Sequence, residues 1–160
     1  MINIAMVKNR IDRIEEDLLH LKDFTGLTFD EVARNYNTHK IVERIIEVVV
    51  NAAIDINQHI VANSRKSDLP FDFTESFLLL SDLSVYPRDF ARKISESASL
   101  RNILVHEYAR LDEEKFYNSI KDCYKDYTLY CRYILTYLKK VNLDSRSQLR
   151  QASLGEASRE

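Results

Sequence analysis

At 160 residues the chain has the length of one domain with a sizeable core. Two glycines and two prolines are too few for a strand-and-hairpin fold, and a formal net charge of -2 excludes a broadly basic nucleic-acid binder, so contact with nucleic acid would need a local patch. No charged-then-apolar leader opens the sequence and no run of about 18 apolar residues occurs, which gives the expectation of a soluble, cytoplasmic protein.

Ile4, Val7, Ile11, Ile14, Leu18 and Leu21 step by three and four. That spacing predicts a first helix with a heptad-like seam, ended by Gly26. The seam could bury against the rest of a bundle or against a second copy of itself. A second helix is expected from about Phe29 to about Ser64, with Asn37-Thr38 as its weak point. Between Ile45 and Ile56 it is apolar nearly all round, the pattern of a central, mostly buried element. Asp55 and His59 sit one turn apart on it.

Ser67-Asp68-Leu69-Pro70 reads as a loop. Asp72 with Glu75 has capping-box spacing and opens a short helix carrying Phe77, Leu78, Leu80 and Leu83. Pro87 suits the first position of the next helix, which runs through Phe90, Ile94 and Ala98 towards Tyr108. Leu111-Asp112-Glu113-Glu114 ends that helix and starts the last one with acids at its positive end. The last helix repeats Phe116, Ile120, Cys123, Tyr127, Tyr130, Ile134, Leu138 and Val141. Its two cysteines, eight residues apart, would be roughly 12 Å apart on a helix, too far for a disulfide. From Asp144 the chain turns polar, and residues 144–160 are expected to be a flexible or frayed tail after a bundle spanning 1–143. The fold class is all-α: a bundle of about five helices with short connections.

No phosphate-binding glycine loop, CxxC pair or HExxH motif is present. Asp55 and His59 could share a metal, but two ligands are a weak case beside a structural role. The stretch that stands out is Arg101-Asn102-Ile103-Leu104-Val105-His106-Glu107-Tyr108. On a helix Arg101 falls in one stripe with Ile94, Ala98, Val105 and Tyr108, and a charge written into an apolar stripe requires a partner. Asn102 and His106 form the adjoining edge. A neutral imidazole can take a proton from a hydroxyl near pH 7, and a guanidinium can hold a phosphate through two N–H groups. The pair suits cleavage of RNA through its own 2′-OH without a cofactor or metal: His106 as base and acid, Arg101 on the phosphate, Asn102 orienting either. Five residues on a straight helix place the two groups about 140° apart, so a distorted helix end or a second protomer is needed to converge them.

The same eight residues resemble the R-x4-6-H motif of the HEPN superfamily. With the trailing tyrosine they resemble the R-x4-H-x-Y form of the HepT family, ribonuclease toxins encoded beside MntA nucleotidyltransferase antitoxins. Ile45–Ile56 is similar to that family's central helix and Glu75–Leu80 to its short third helix; roughly residues 1–140 are covered. The resemblance implies a dimerising all-α bundle, open to higher-order assembly, with the two motifs meeting in a cleft at the interface. It implies metal-independent endonuclease action on tRNA or mRNA, as in type VII toxin–antitoxin pairs. Arg101 and His106 carry over as catalytic and Asn102 as supporting. Tyr108 carries over as the residue to which the nucleotidyltransferase transfers AMP, on the same helical face as Arg101, where added charge and bulk would repel RNA. Asp55 is a second supporting candidate, either neutralising Arg101 or fixing the catalytic helix in the dimer. RNA binding would need basic residues such as Arg65, Lys66, Arg92, Lys93 and Arg110 near the cleft. The alternatives are a non-catalytic HEPN module that binds a nucleotidyltransferase and helps present nucleotide or substrate, and a plain dimerising scaffold built on the first helix.

Overall fold

The computed structural model describes residues 1–64 and 72–157, with side chains to residue 153. Among these residues there are six α-helices, one short 3-10 helix and no strand. They are α1 (Ile4–Lys22), α2 (Phe29–Ala33), α3 (Tyr36–Ala62), α4 (Phe73–Asp82), α5 (Arg88–His106), the 3-10 turn Tyr108–Arg110, and α6 (Glu113–Ala157).

The first seam goes into the bundle: Val7, Ile11, Ile14, Leu18 and Leu21 are all buried against α3 and α6. α1 stops at Lys22, short of Gly26, through tightening bonds from Asp23 N to His20 O and from Phe24 N to Leu21 O. The expected second helix is two helices. The break falls at Arg34-Asn35, just before the expected weak point, because Asn35 accepts from the amide of Thr38 and so starts α3 afresh. α2 has its own capping box between Thr28 and Glu31.

α3 is the central element and touches each of the other five helices. It is long and apolar enough to cross a membrane, but half of that stretch is buried inside the fold, as in a core helix. Its buried Asn57 ties three helices together: Tyr130 of α6 donates to Asn57 Oδ1 at 2.7 Å, and Asn57 Nδ2 donates to Ser76 Oγ of α4 at 3.3 Å. Tyr127, Tyr130, Phe77 and Phe116 supply the aromatic bulk of the core.

Asp72 accepts from Glu75 N at 2.7 Å, as its spacing predicts, and starts α4. Ser84, with φ 60°, closes it: Val85 N bonds back to Leu80 O and Ser84 N to Ser81 O. Pro87 stands one position before α5 as its cap. The loop expected at residues 67–70 lies outside the described residues. Cys123 and Cys131 are buried free thiols on α6. The polar segment from Asp144 continues α6 as helix to Ala157, and every side chain described from 144 onward is exposed.

Candidate active site

α5 leaves the core as it approaches the motif. Ala91, Ile94, Ser95 and Ala98 are buried; Arg101 and Asn102 are half-buried; Val105 and His106 are exposed. The apolar stripe therefore runs out of the core one turn after Ala98, and Arg101 sits where the stripe meets solvent.

The guanidinium is held by neutral groups. Arg101 Nε donates to Asn51 Oδ1 of α3 at 2.6 Å, and Arg101 Nη1 donates to Asn102 Oδ1 at 3.2 Å. Its carbon lies 5.2 Å from the centroid of the Phe73 ring. Among the described residues no carboxylate forms an ion pair with Arg101. Two side-chain amides and an aromatic face thus aim a cation whose remaining N–H groups have no partner among the described residues, an arrangement suited to an anion supplied from outside.

Asp55 is not the neutralising partner the sequence offered as one option. Its carboxylate pairs with Arg10 of α1 at 2.9 Å, and Asn51, one turn earlier on α3, takes the place against Arg101. The Nε2 of His59 accepts from the backbone N–H of Asn3 at 2.9 Å, the structural role that the sequence favoured for it.

His106 is the last residue of α5, exposed, with no side-chain hydrogen bond among the described residues. The helix stays regular up to it, since Glu107 N still bonds to Ile103 O at 3.1 Å. The backbone departs only at Glu107, with φ -133° and ψ 38°. No distortion between Arg101 and His106 brings the two groups together within one protomer.

The same departure corrects the position of Tyr108. It is not on the face of α5 that carries Arg101; it opens the 3-10 turn and reaches back to α3. Its hydroxyl donates to Glu43 Oε1 at 2.5 Å and accepts from Lys40 Nζ at 3.1 Å. Burial raises the phenol above its ordinary value, and the bond to Glu43 raises it further. Sequence reading missed Asn51, Lys40 and Glu43. The available signal was a run of polar residues on the otherwise apolar α3, which points to contacts but not to their partners.

Of the five basic residues considered, Lys93 is paired with Asp126 at 3.0 Å and Arg110 with Glu107 at 2.7 Å. Arg92 is exposed, and Arg65 and Lys66 lie outside the described residues. A cleft of about 580 Å³ opens between α5, the 3-10 turn and the start of α6, lined by Leu100, Ile103, Leu111 and Tyr127 with Lys93 and Asp122. Neither Arg101 nor His106 lines it.

A family model described as ribonuclease HepT-like matches residues 14–134, which span the motif and the helices that hold it. The chain belongs to the HepT-like ribonuclease family. The tRNA nuclease HepT of Aphanizomenon flos-aquae (strain 2012/KM1/D3) is 34% identical over 140 residues, 86% of this chain and 95% of that protein. Among solved structures, the cytosolic protein of unknown function YutE from Bacillus subtilis has a TM-score of 0.74 at 14% identity, covering 87% of this chain and 92% of that one. The tri-AMPylated Shewanella oneidensis HEPN toxin, in complex with MNT antitoxin, has a TM-score of 0.73 at 20% identity, covering 82% and 97%. At these identities the structural likeness is one of fold; the sequence relative carries the HepT assignment.

Proposed function

We propose that this HepT-like chain is a cytoplasmic, metal-independent RNA endonuclease, the toxin of a toxin–antitoxin pair, acting on tRNA or mRNA. The observation that carries the reading is the half-buried Arg101 guanidinium, fixed by Asn51 and Asn102 with no carboxylate paired to it among the described residues. Neutral side chains orient this guanidinium without cancelling its charge, which leaves it for an anion. His106 takes the proton of the 2′-OH, the alkoxide attacks the adjacent phosphorus, and the 5′-oxygen leaves with a proton returned by the imidazole. The products are a cyclic phosphate and a 5′-OH. Arg101 holds the phosphate and offsets charge growing on its oxygens, and Asn102 supports it.

The regular helix between Arg101 and His106 favours a site shared by two protomers, because one protomer points the two groups apart. Val105 beside His106 is 39% exposed, an apolar side chain that a second copy would cover. In such a dimer Asp55 acts at a distance, through its pairing with Arg10 that braces α3.

Control falls on Tyr108, 42% exposed and within reach of an MntA-type nucleotidyltransferase that transfers AMP to it. Each AMP adds negative charge two residues from His106, and RNA phosphates are repelled. The test is expression without the nucleotidyltransferase. Growth arrest with a nicked RNA pool, both abolished by His106→Ala, is the expected result. Arrest that His106→Ala leaves unchanged would overturn the nuclease reading and favour a binding module.

A further inference from the structure

Tyr108 belongs to a set of polar groups that RNA cleavage does not use. Its hydroxyl hydrogen lies on Glu43 Oε1 at 2.5 Å, and Lys40 Nζ donates to the same hydroxyl oxygen at 3.1 Å. Lys40 also donates to Glu43 Oε2 at 3.2 Å and stands 4.2 Å from the centroid of the Tyr108 ring. Behind Glu43, His39 Nδ1 is 2.6 Å from Oε1, and His39 Nε2 is 2.7 Å from Glu113 Oε2. His39 is 6% exposed and rests against Phe116, while the Glu113 side chain is 49% exposed. A continuous path of polar contacts therefore leads from an exposed phenol, through a partly buried carboxylate and a buried imidazole, to an exposed carboxylate.

A phenol must lose its proton to attack phosphorus, and this phenol holds its proton more firmly than a free one because it is partly desolvated. Anchoring Tyr108 would need one partner. Here a carboxylate sits on the proton and an ammonium on the oxygen, the two groups that nucleophilic attack by that oxygen requires.

We infer that Glu43 is the general base, and Lys40 the group stabilising the developing phenolate, for nucleotidyl transfer to Tyr108, so that the acceptor chain activates its own tyrosine. This rests on the reading of Tyr108 as the AMP acceptor. In the step the Tyr108 Oη–Pα bond of ATP forms and the bond from Pα to the β-phosphate oxygen breaks. Pyrophosphate leaves with the electron pair, and the proton passes from Oη to Glu43. Glu43, held on its other side by His39 Nδ1 at 2.6 Å, then gives the proton up to water. The esterified oxygen has no hydrogen left for Glu43, so the product is released from α3.

The experiment is single-turnover labelling of the full chain with ATP carrying a labelled α-phosphate and excess of its partner nucleotidyltransferase, between pH 6 and 9. Wild type should label with a shallow pH profile and Tyr108→Phe should not label. Glu43→Gln should label about 10²–10³-fold more slowly at pH 7 and recover about tenfold per pH unit as phenolate forms without a base. Glu43→Asp, which keeps the carboxylate, should label at an intermediate rate with the wild-type profile, and serves if the Gln variant does not fold. Lys40→Met should slow labelling about tenfold or more. Glu43→Gln labelling at Tyr108 within threefold of wild type, with an unchanged profile, would overturn the inference and leave the acceptor reading standing. Labelling of Tyr108→Phe at the wild-type rate would overturn the acceptor reading and the inference with it.

Discussion

Asn51 of α3 accepts a 2.6 Å hydrogen bond from Nε of Arg101 on α5, and this contact fixes the direction of the only guanidinium in the motif. A side-chain amide can orient a cation without cancelling its charge, whereas a carboxylate would do both. Asn51→Ala should lower RNA cleavage by about 10–100-fold, the cost of a misplaced catalytic group, with little change in the thermal melt. Asn51→Asp should be at least as damaging, because it pairs the guanidinium before RNA arrives. Cleavage rates of the two variants at one RNA concentration check this.

The Tyr130–Asn57–Ser76 chain lies in the core, away from the motif. Tyr130→Phe keeps the ring and removes the donor, leaving Asn57 Oδ1 without it in a buried site. The expected cost is about 1–3 kcal/mol, or a melting temperature lower by roughly 3–10 °C. Residual activity of the folded protein should be unchanged, which separates stability from chemistry.

His59 gives the fold a pH dependence. Burial lowers its value below the ordinary imidazole one, with smaller contributions from the N-terminal ammonium and Arg10, and its Nε2 is engaged by Asn3 N–H. Between the lowered and the ordinary value the unfolded chain binds more protons than the native one, so stability rises with pH there. The contribution is fully present above the ordinary histidine value and is lost as pH falls through it towards the lowered one. Melting temperatures at pH 7.5 and 5.5 should drop for wild type and drop less for His59→Gln.

A shared site makes a distinctive prediction for mixed variants. Arg101→Ala and His106→Ala are each expected to be inactive, losing about 10²-fold or more. Mixing the two under conditions that exchange protomers should restore part of the cleavage if each composite site needs an arginine from one chain and a histidine from the other. Continued inactivity of heterodimers verified by mass would place both groups in one protomer.

Much of this arrangement is legible in the sequence. Val7 to Leu21, Val42 to Ile60 and Phe116 to Leu138 follow the helical repeat because one face of each helix is buried, and the structure buries those positions. Side-chain capping is read less well, because it competes locally with helix continuation: Asn35 starts a new helix where apolar periodicity runs straight through. The motif is visible as Arg101, Asn102, His106 and Tyr108, yet its supports are not. Asn51, Lys40 and Glu43 reach it across α3, and a long-range polar contact leaves no periodic trace. Tyr108 shows the limit of phase arguments, since a single change of backbone at Glu107 moves its side chain from the expected face to the start of α3.

The central claim is tested most directly by incubating the purified, unmodified protein with total tRNA in EDTA, wild type beside His106→Ala, and examining the ends produced. The account predicts cuts by wild type alone, each leaving a 2′,3′-cyclic phosphate and a 5′-OH. An intact tRNA pool with protein shown by mass to carry no AMP, or equal cutting by both proteins, would contradict it.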